Sequence, residues 1–188
     1  MSSRIKAAEA LLRLKTGNSQ YVHTNSYRGD VSSAIRANTA KNGQFPYAII
    51  IACSDSRVIP EIIFSAGIGE LFTIRVAGNV IDRHQLGSIE YAVAHLGSPL
   101  VVVLGHTHCG AVAATIAGEG DSHIRSITDK IKEAIGNETD DFTASCRNVD
   151  YAVSEILSAF HHDHLDEEQV VGAVYDIETG IVHWRGER

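Results

Sequence analysis

Several features that define common protein classes are scarce in this sequence. Its 188 residues include only three cysteines, and no stretch approaches the ~20 consecutive apolar residues of a membrane span. Disulfide-rich scaffolds are shorter and richer in cysteine, so the three thiols predict a reduced, cytoplasmic protein. Charged side chains interrupt the first 14 residues, so we expect no signal peptide.

Positive charge is also in short supply. Lys and Arg number 16 against 23 Asp and Glu, which gives a net charge of -7. The overall electrostatic field therefore opposes nucleic acid, and we expect neither a nucleic-acid nor a membrane partner. No linker, repeat or low-complexity segment divides the sequence, and its length suits one core. We expect a single domain over residues 1–188.

Continuous apolar, β-branched runs recur along the chain. Such runs are typical of strands buried on both faces of a parallel sheet. The predicted strands are Tyr47–Ala52, Leu71–Val76, Leu100–Leu104, Val170–Tyr175 and an edge strand at Ile181–Trp184. The predicted helices between the strands cover residues 60–66, 86–96, 110–117, 122–135 and 148–161, with a polar surface loop at 137–143. This alternation predicts an α/β fold with a mostly parallel sheet.

Two further helices are predicted ahead of the first strand. Arg4–Leu14 has apolar residues at helical spacing and should end near Gly17, and Val31–Lys41 precedes Gly43. We therefore expect N-terminal helices over about residues 1–42 and an α/β core over about residues 44–188.

Two cysteines and a histidine lie just after predicted strands. Cys53 follows the first strand, His106 follows the third, and Cys109 begins the next helix. Ligands bind beyond the carboxyl ends of parallel strands, so neighbouring strands would bring the three side chains together. Three donors leave one position for water and substrate, as in catalytic zinc sites. His108 is an alternative ligand, but His106 directly follows Gly105 at the strand end.

Asp55 and Arg57 lie two residues apart on the loop after the first strand. An Arg side chain binds a carboxylate through two parallel hydrogen bonds. One interpretation is a surface ion pair worth ~0–1 kcal/mol. The other is a catalytic dyad in which Arg57 orients Asp55 toward zinc-bound water.

Four motifs together resemble the β-class carbonic anhydrases: CSDSR at 53–57, RVAGNV at 75–80, GSIEYAVAHLG at 87–97 and GHTHCGAV at 105–112. The similarity runs from about Gln44 to Ala114. It implies an αβα sandwich around a mostly parallel sheet and one Zn²⁺ per chain. By the same resemblance, the metal ligands are Cys53, His106 and Cys109, and the catalytic dyad is Asp55 with Arg57.

The resemblance extends to substrate-binding residues and to assembly. Gln44 matches a glutamine that donates a hydrogen bond to bicarbonate, while Phe72 and Tyr91 match an aromatic pair lining the carbon dioxide pocket. Core packing is the alternative role for this pair. The resemblance also implies an active site at a dimer interface, in a homodimer or a homotetramer built from two dimers. Ile50 replaces a Trp of the bicarbonate-regulated branch, which favours an unregulated site.

The function predicted from these residues is zinc-dependent, reversible hydration of carbon dioxide to bicarbonate by zinc-bound hydroxide. One alternative keeps the site and changes the substrate to carbon disulfide or carbonyl sulfide. Another is a non-catalytic zinc protein that senses redox state through Cys53 and Cys109. The sequence lacks a G-x-S-x-G nucleophile elbow, and Gly105-x4-Gly110 lacks the lysine of a phosphate loop.

Overall fold

A five-stranded sheet lies at the centre of the computed structural model, which describes residues 5–24, 26–160 and 165–186. Its spatial order is β2-β1-β3-β4-β5. The first four strands in this order are parallel, and the last is antiparallel to its neighbour. The bounds are β1 Ala48–Ala52, β2 Leu71–Arg75, β3 Val101–His106, β4 Val170–Tyr175 and β5 Val182–Trp184.

Helices precede and connect these strands. Their bounds are α1 Ala7–Thr24, α2 Ser33–Asn42, α3 Pro60–Ile63, α4 Arg83–Tyr91, α5 Gly110–Ala117, α6 Arg125–Ile135 and α7 Asp141–Ala159. Short 3-10 turns occupy 77–79 and 122–124, and a π turn extends α4 over 92–96. Within the described ranges, no helix combines the length and apolarity needed to cross a membrane.

Both faces of the sheet are buried, which explains the continuous apolar runs. In β1, Ile50 joins a core cluster with α1 and α3, whereas Ile49 and Ile51 join a second cluster with α4 and α7. All three isoleucines are fully buried. Successive side chains of a strand point to opposite faces, so their burial requires helices on both faces of the sheet. The resulting αβα arrangement confirms the predicted fold class.

The predicted end of the first helix at Gly17 is wrong, because α1 continues to Thr24. A Cβ atom on Gly17 would lie 1.9 Å from the carbonyl oxygen of Phe64. The glycine therefore lets the backbones of α1 and α3 approach closely, and it does not terminate the helix. The predicted start at Arg4 lies outside the described residues.

The predicted start of the last long helix is also wrong. Helix α7 begins at Asp141, seven residues before Asn148, and takes in part of the segment expected to be a loop. Asp140 caps this helix by accepting a hydrogen bond from the Thr143 backbone N–H at 2.9 Å. The predicted end at His161 lies outside the described residues.

Candidate metal centre

The structure brings the two cysteines and the histidine together. The donor atoms of Cys53, His106 and Cys109 all lie within 4.8 Å of one another. This convergence follows from the sheet, because β1 and β3 are hydrogen-bonded neighbours whose carboxyl ends face the same edge. All three residues are at most 5% exposed. His108 is outside this group and lies between the carboxylates of Asp141 and Glu178.

The ring of His106 is set up for one further interaction. Its Nδ1–H donates to the carbonyl of Thr107 at 2.8 Å, which fixes the tautomer and leaves Nε2 as the free donor atom. Nε2 is buried and has no hydrogen-bond partner among the residues that the structure describes. An unpaired buried polar atom is costly. A metal ion bound at Nε2 would remove that cost, and the bond to the Thr107 carbonyl orients the ring for such a ligand.

The two thiols of the cluster interact with each other. The neighbouring Cys109 thiol lowers the pKa of Cys53, and the Gly78 N–H, which donates to Cys53 Sγ at 3.2 Å, contributes to the same shift. The same contact raises the pKa of Cys109, and burial adds to that shift. A divalent cation bound here would displace the remaining thiol proton, since a metal binds both sulfurs as thiolates.

An apolar collar surrounds the cluster. Cys53 and Cys109 belong to a buried group that also contains Val80, Val112, Ile131, Ile135 and Ala144. Apolar surroundings limit solvent access and strengthen electrostatic interactions at a metal site. Two sulfurs, one imidazole nitrogen and this collar fit zinc.

Asp55 and Arg57 form the two-point ion pair expected from their spacing. Arg57 Nε donates to Asp55 Oδ1 at 3.0 Å, and Nη2 donates to Oδ2 at 2.7 Å. The Arg57 backbone N–H adds a third bond at 2.9 Å. These contacts, led by the guanidinium bonds, hold the pKa of Asp55 well below its usual range. The Asp55 side chain is 16% exposed, whereas that of Arg57 is 52% exposed.

Arg75 supports the same loop. It lies opposite Ala52 in the β1–β2 register. Its Nε donates to the carbonyl of Cys53 at 3.1 Å, and its Nη2 donates to the carbonyl of Asp55 at 2.6 Å. Arg75 therefore fixes the backbone between the metal-ligand candidate and the dyad.

The predicted substrate-binding residues do not join the cluster within one protomer. Gln44 is exposed and precedes β1, whereas Cys53 follows that strand. Phe72 pairs in register with Ile49, four residues before Cys53. The rings of Phe72 and Tyr91 do form a pair, with centroids 6.2 Å apart. Phe72 packs on the core, while Tyr91 is 49% exposed.

The family profile described as "Carbonic anhydrase" matches residues 48–182. Carbonic anhydrase 2 of Mycobacterium tuberculosis strain H37Rv is 44% identical over 127 residues, which cover 65% of this chain and 61% of the relative. The carbonic anhydrase of Mycolicibacterium smegmatis is 36% identical over 186 residues, covering 92% and 90%. Among solved structures, the β-carbonic anhydrase CafA of Aspergillus fumigatus has a TM-score of 0.68 and 26% identity, covering 95% and 90%.

The fold and the site define the class: an α/β protein with three side chains able to bind one metal ion at the carboxyl edge of a parallel sheet. The match over residues 48–182 and the similarity to the M. smegmatis relative identify the family. The chain belongs to the carbonic anhydrase family, and its fold is that of the β class. The match to the M. tuberculosis relative spans 61% of that protein's length.

Proposed function

We propose that this protein catalyses the reversible hydration of carbon dioxide to bicarbonate, with zinc held by Cys53, His106 and Cys109. The observation that carries the proposal is a buried set of three donors, which no fourth Cys, His, Asp or Glu of the described residues joins. Catalytic zinc sites keep a position open in this way. Zinc bound there supplies Lewis acidity, which lowers the pKa of a coordinated water.

Asp55 accepts a hydrogen bond from the attacking water and so orients its lone pair toward carbon dioxide. A carboxylate has about four acceptor positions, so the three bonds from Arg57 leave one available. The lowered pKa keeps Asp55 ionised at neutral pH, and thus an acceptor only. Arg57 also holds both carboxylate oxygens, which prevents Asp55 from becoming a fourth metal ligand.

Self-association supplies the remaining substrate-binding residues. Gln44, Phe72 and Tyr91 lie away from the cluster in one protomer, and the adjacent Phe45 is 76% exposed. Helix α2 has no buried residue, so it is a surface that a second copy can cover. A structural relative from Sordaria macrospora is described as tetrameric. The protomers pair so that Gln44 reaches the partner's site, as a homodimer or a dimer of dimers.

The cysteine state bears on where the enzyme works. Cys53, Cys109 and Cys146 are all free thiols. Free thiols persist in reducing compartments, and the two in the cluster must stay reduced to bind metal. We therefore place this activity in the cytoplasm. Full zinc binding after prolonged air oxidation, with no loss of free thiol, would remove this reason for the assignment.

Stopped-flow measurement of carbon dioxide hydration tests the function directly. Zinc content is measured in parallel, before and after chelation and after zinc is restored. We expect one zinc per chain, loss of hydration on chelation and recovery on reloading. Carbon disulfide and carbonyl sulfide are assayed on the same samples. Turnover of these two alone would change the substrate, and zinc-replete protein inactive on all three would favour the redox-sensing role.

The role of Asp55 is tested by Asp55→Asn. The amide no longer provides two charged acceptor oxygens, so turnover should fall by about 10²-fold or more, the order expected when a side chain that accepts from the reacting group is lost. Zinc content should stay near one per chain. Asp150→Asn is the matched control, because Arg185 binds Asp150 in the same two-point geometry, at 3.0 and 2.8 Å. Full activity of zinc-replete Asp55→Asn would remove Asp55 from the mechanism.

A further inference from the structure

Three polar side chains lie along one face of helix α7. Asp141, Ser145 and Asn148 are spaced i, i+4 and i+7, which places them on one side of a helix. Ser145 and Asn148 are 2% and 4% exposed, and the side chain of Asp141 is 37% exposed. We call these three residues the α7 stripe. Each member makes one hydrogen bond to a backbone segment next to the metal cluster.

Asn148 acts on the segment that contacts Cys53. Its Nδ2 donates to the carbonyl of Gly78 at 2.8 Å, and the N–H of the same glycine donates to Cys53 Sγ. Gly78 has a φ of +68°, so this turn requires a left-handed conformation. A Cβ atom there would also lie 2.7 Å from Ile131 Cδ1. Asn148 therefore holds the turn that aims an N–H group at the sulfur.

Ser145 and Asp141 act on the segment that carries His106 and Cys109. Ser145 Oγ donates to the carbonyl of His106 at 3.1 Å. Asp141 Oδ2 accepts from the backbone N–H of His108 at 2.8 Å.

His108 has a φ of +55°, a conformation that is strained for a residue with a side chain. The contact with Asp141 stabilises this turn. The carbonyl of His108 in turn accepts a hydrogen bond from Arg57 Nη2 at 3.0 Å. Asp141 therefore holds the backbone that leads to Cys109 and positions the carbonyl that Arg57 contacts.

The stripe reaches these segments because α7 packs unusually close to the sheet. The side chain of Val149 sits over Gly105 of β3 and Gly172 of β4. A Cβ atom on either glycine would lie 2.6 Å from a Val149 methyl group. The absence of side chains at both positions lets the helix approach until Ser145 and Asn148 contact the backbone.

We infer that the α7 stripe is a set of positioning residues for the metal centre. Asp141, Ser145 and Asn148 do not touch the donor atoms themselves. They hold the turn at Gly78, whose N–H contacts Cys53, and the segment that carries His106 and leads to Cys109, so they set metal affinity and donor geometry. For turnover this inference rests on the proposed function, whereas for metal binding it stands independently.

Zinc affinity of the folded protein is the primary test, measured by competition with a chromophoric chelator. The variants are Asp141→Ala, Ser145→Ala and Asn148→Ala. Each should weaken zinc binding by about 10- to 100-fold, the range found when groups that orient metal ligands are removed. Asp141→Asn keeps an oxygen acceptor for the His108 N–H and should restore most of the affinity lost in Asp141→Ala.

The same helix offers matched controls. Ser154 Oγ bonds within the helix to the Tyr151 carbonyl at 2.7 Å, and Asp150 pairs with Arg185. Ser154→Ala and Asp150→Ala should therefore bind zinc like the parent. The thermal midpoint of the metal-free protein is recorded for every variant. A merely structural role would lower this midpoint and leave zinc affinity unchanged.

Visible absorption of the Co²⁺-substituted protein gives a second readout that needs no activity. Altered donor geometry should shift the ligand-field bands in stripe variants and not in the controls. If Asn148→Ala does not fold, the inference is tested with Asp141→Ala, because the Asp141 side chain is partly exposed and its removal leaves no buried cavity. Parent-like affinity and spectrum in the folded stripe variants would overturn the inference. If the parent binds zinc but is inactive, and the stripe variants bind zinc more weakly than the parent, the proposed function is refuted and the positioning role of the stripe is supported.

Discussion

The contact between Gly105 and Val149 makes a quantitative prediction about the strand that carries His106. In Gly105→Ala, the new Cβ would lie 2.6 Å from Val149 Cγ2. Val149 is fully buried, and its other methyl occupies the matching space over Gly172. Rotation of a β-branched side chain in a helix is restricted, so Val149 has no free position to move into.

The magnitude follows from opposing contributions. Alanine in a strand is favoured over glycine by about 0.5–1 kcal/mol, but overpacking a filled core costs about 1–3 kcal/mol. The clash should win, and Gly105→Ala should lower the free energy of unfolding by about 1–2 kcal/mol. Val149→Ala removes two buried methyl groups, at about 0.8 kcal/mol each plus a cavity cost, so it should lose about 2 kcal/mol.

The double variant Gly105→Ala/Val149→Ala tests whether the two losses of stability arise from the same contact. With Val149 shortened, the new methyl at position 105 enters the vacated space. The double variant should then be no less stable than Val149→Ala alone, which gives a favourable coupling energy of about 1–2 kcal/mol. Zinc affinity should follow the same pattern, since the clash pushes α7 away from the segments that its stripe holds.

Equilibrium unfolding in urea at one fixed protein concentration is the assay, with metal removed so that binding does not contribute. Gly87→Ala is the control, because nothing lies within 4 Å of a Cβ atom there. It should raise the free energy of unfolding by about 0.5–1 kcal/mol, as for glycine in a helix. If the losses of unfolding free energy in the two single variants sum to that of the double variant within about 0.5 kcal/mol, the proposed clash is refuted.

Three further predictions concern pH, helix capping and assembly. The hydration rate should rise from pH 6 into the alkaline range, because two thiolates cancel the ion's charge and make it a weaker Lewis acid than a three-histidine site; a flat stopped-flow profile to pH 9 would contradict this. Contacts with Thr143 lower the pKa of Asp140, so its contribution to stability is present above pH ~4 and is lost as pH falls through the lowered pKa. Asp140→Asn keeps the cap acceptor, and its unfolding free energy should fall less steeply in acid urea titrations; a slope equal to the parent's would count against this. Phe45→Ser should shift the mass measured by light scattering toward the monomer, while an unchanged mass would place the interface elsewhere.

The sequence alone determined the sheet and predicted which three side chains come together at its edge. The apolar run ending at Ala52 specifies a strand buried on both faces, because no polar alternation is present for a solvent-facing side. Cys53 and His106 then fall at strand ends, where parallel topology forces side chains from neighbouring strands to the same edge. The local spacing of Asp55 and Arg57 likewise determined their ion pair, since two residues in one turn need no distant contact.

The tertiary structure decided what depends on contacts between distant segments. Gly17 has the local character of a helix end, but its function is the close approach of α1 to Phe64. The residues of the α7 stripe carry no local signal either. Ser145 and Asn148 act only because Gly105 and Gly172 let the helix lie close to the sheet. Local pattern encodes burial and turns, whereas hydrogen bonds between residues 39 to 70 positions apart form only after packing fixes the distance.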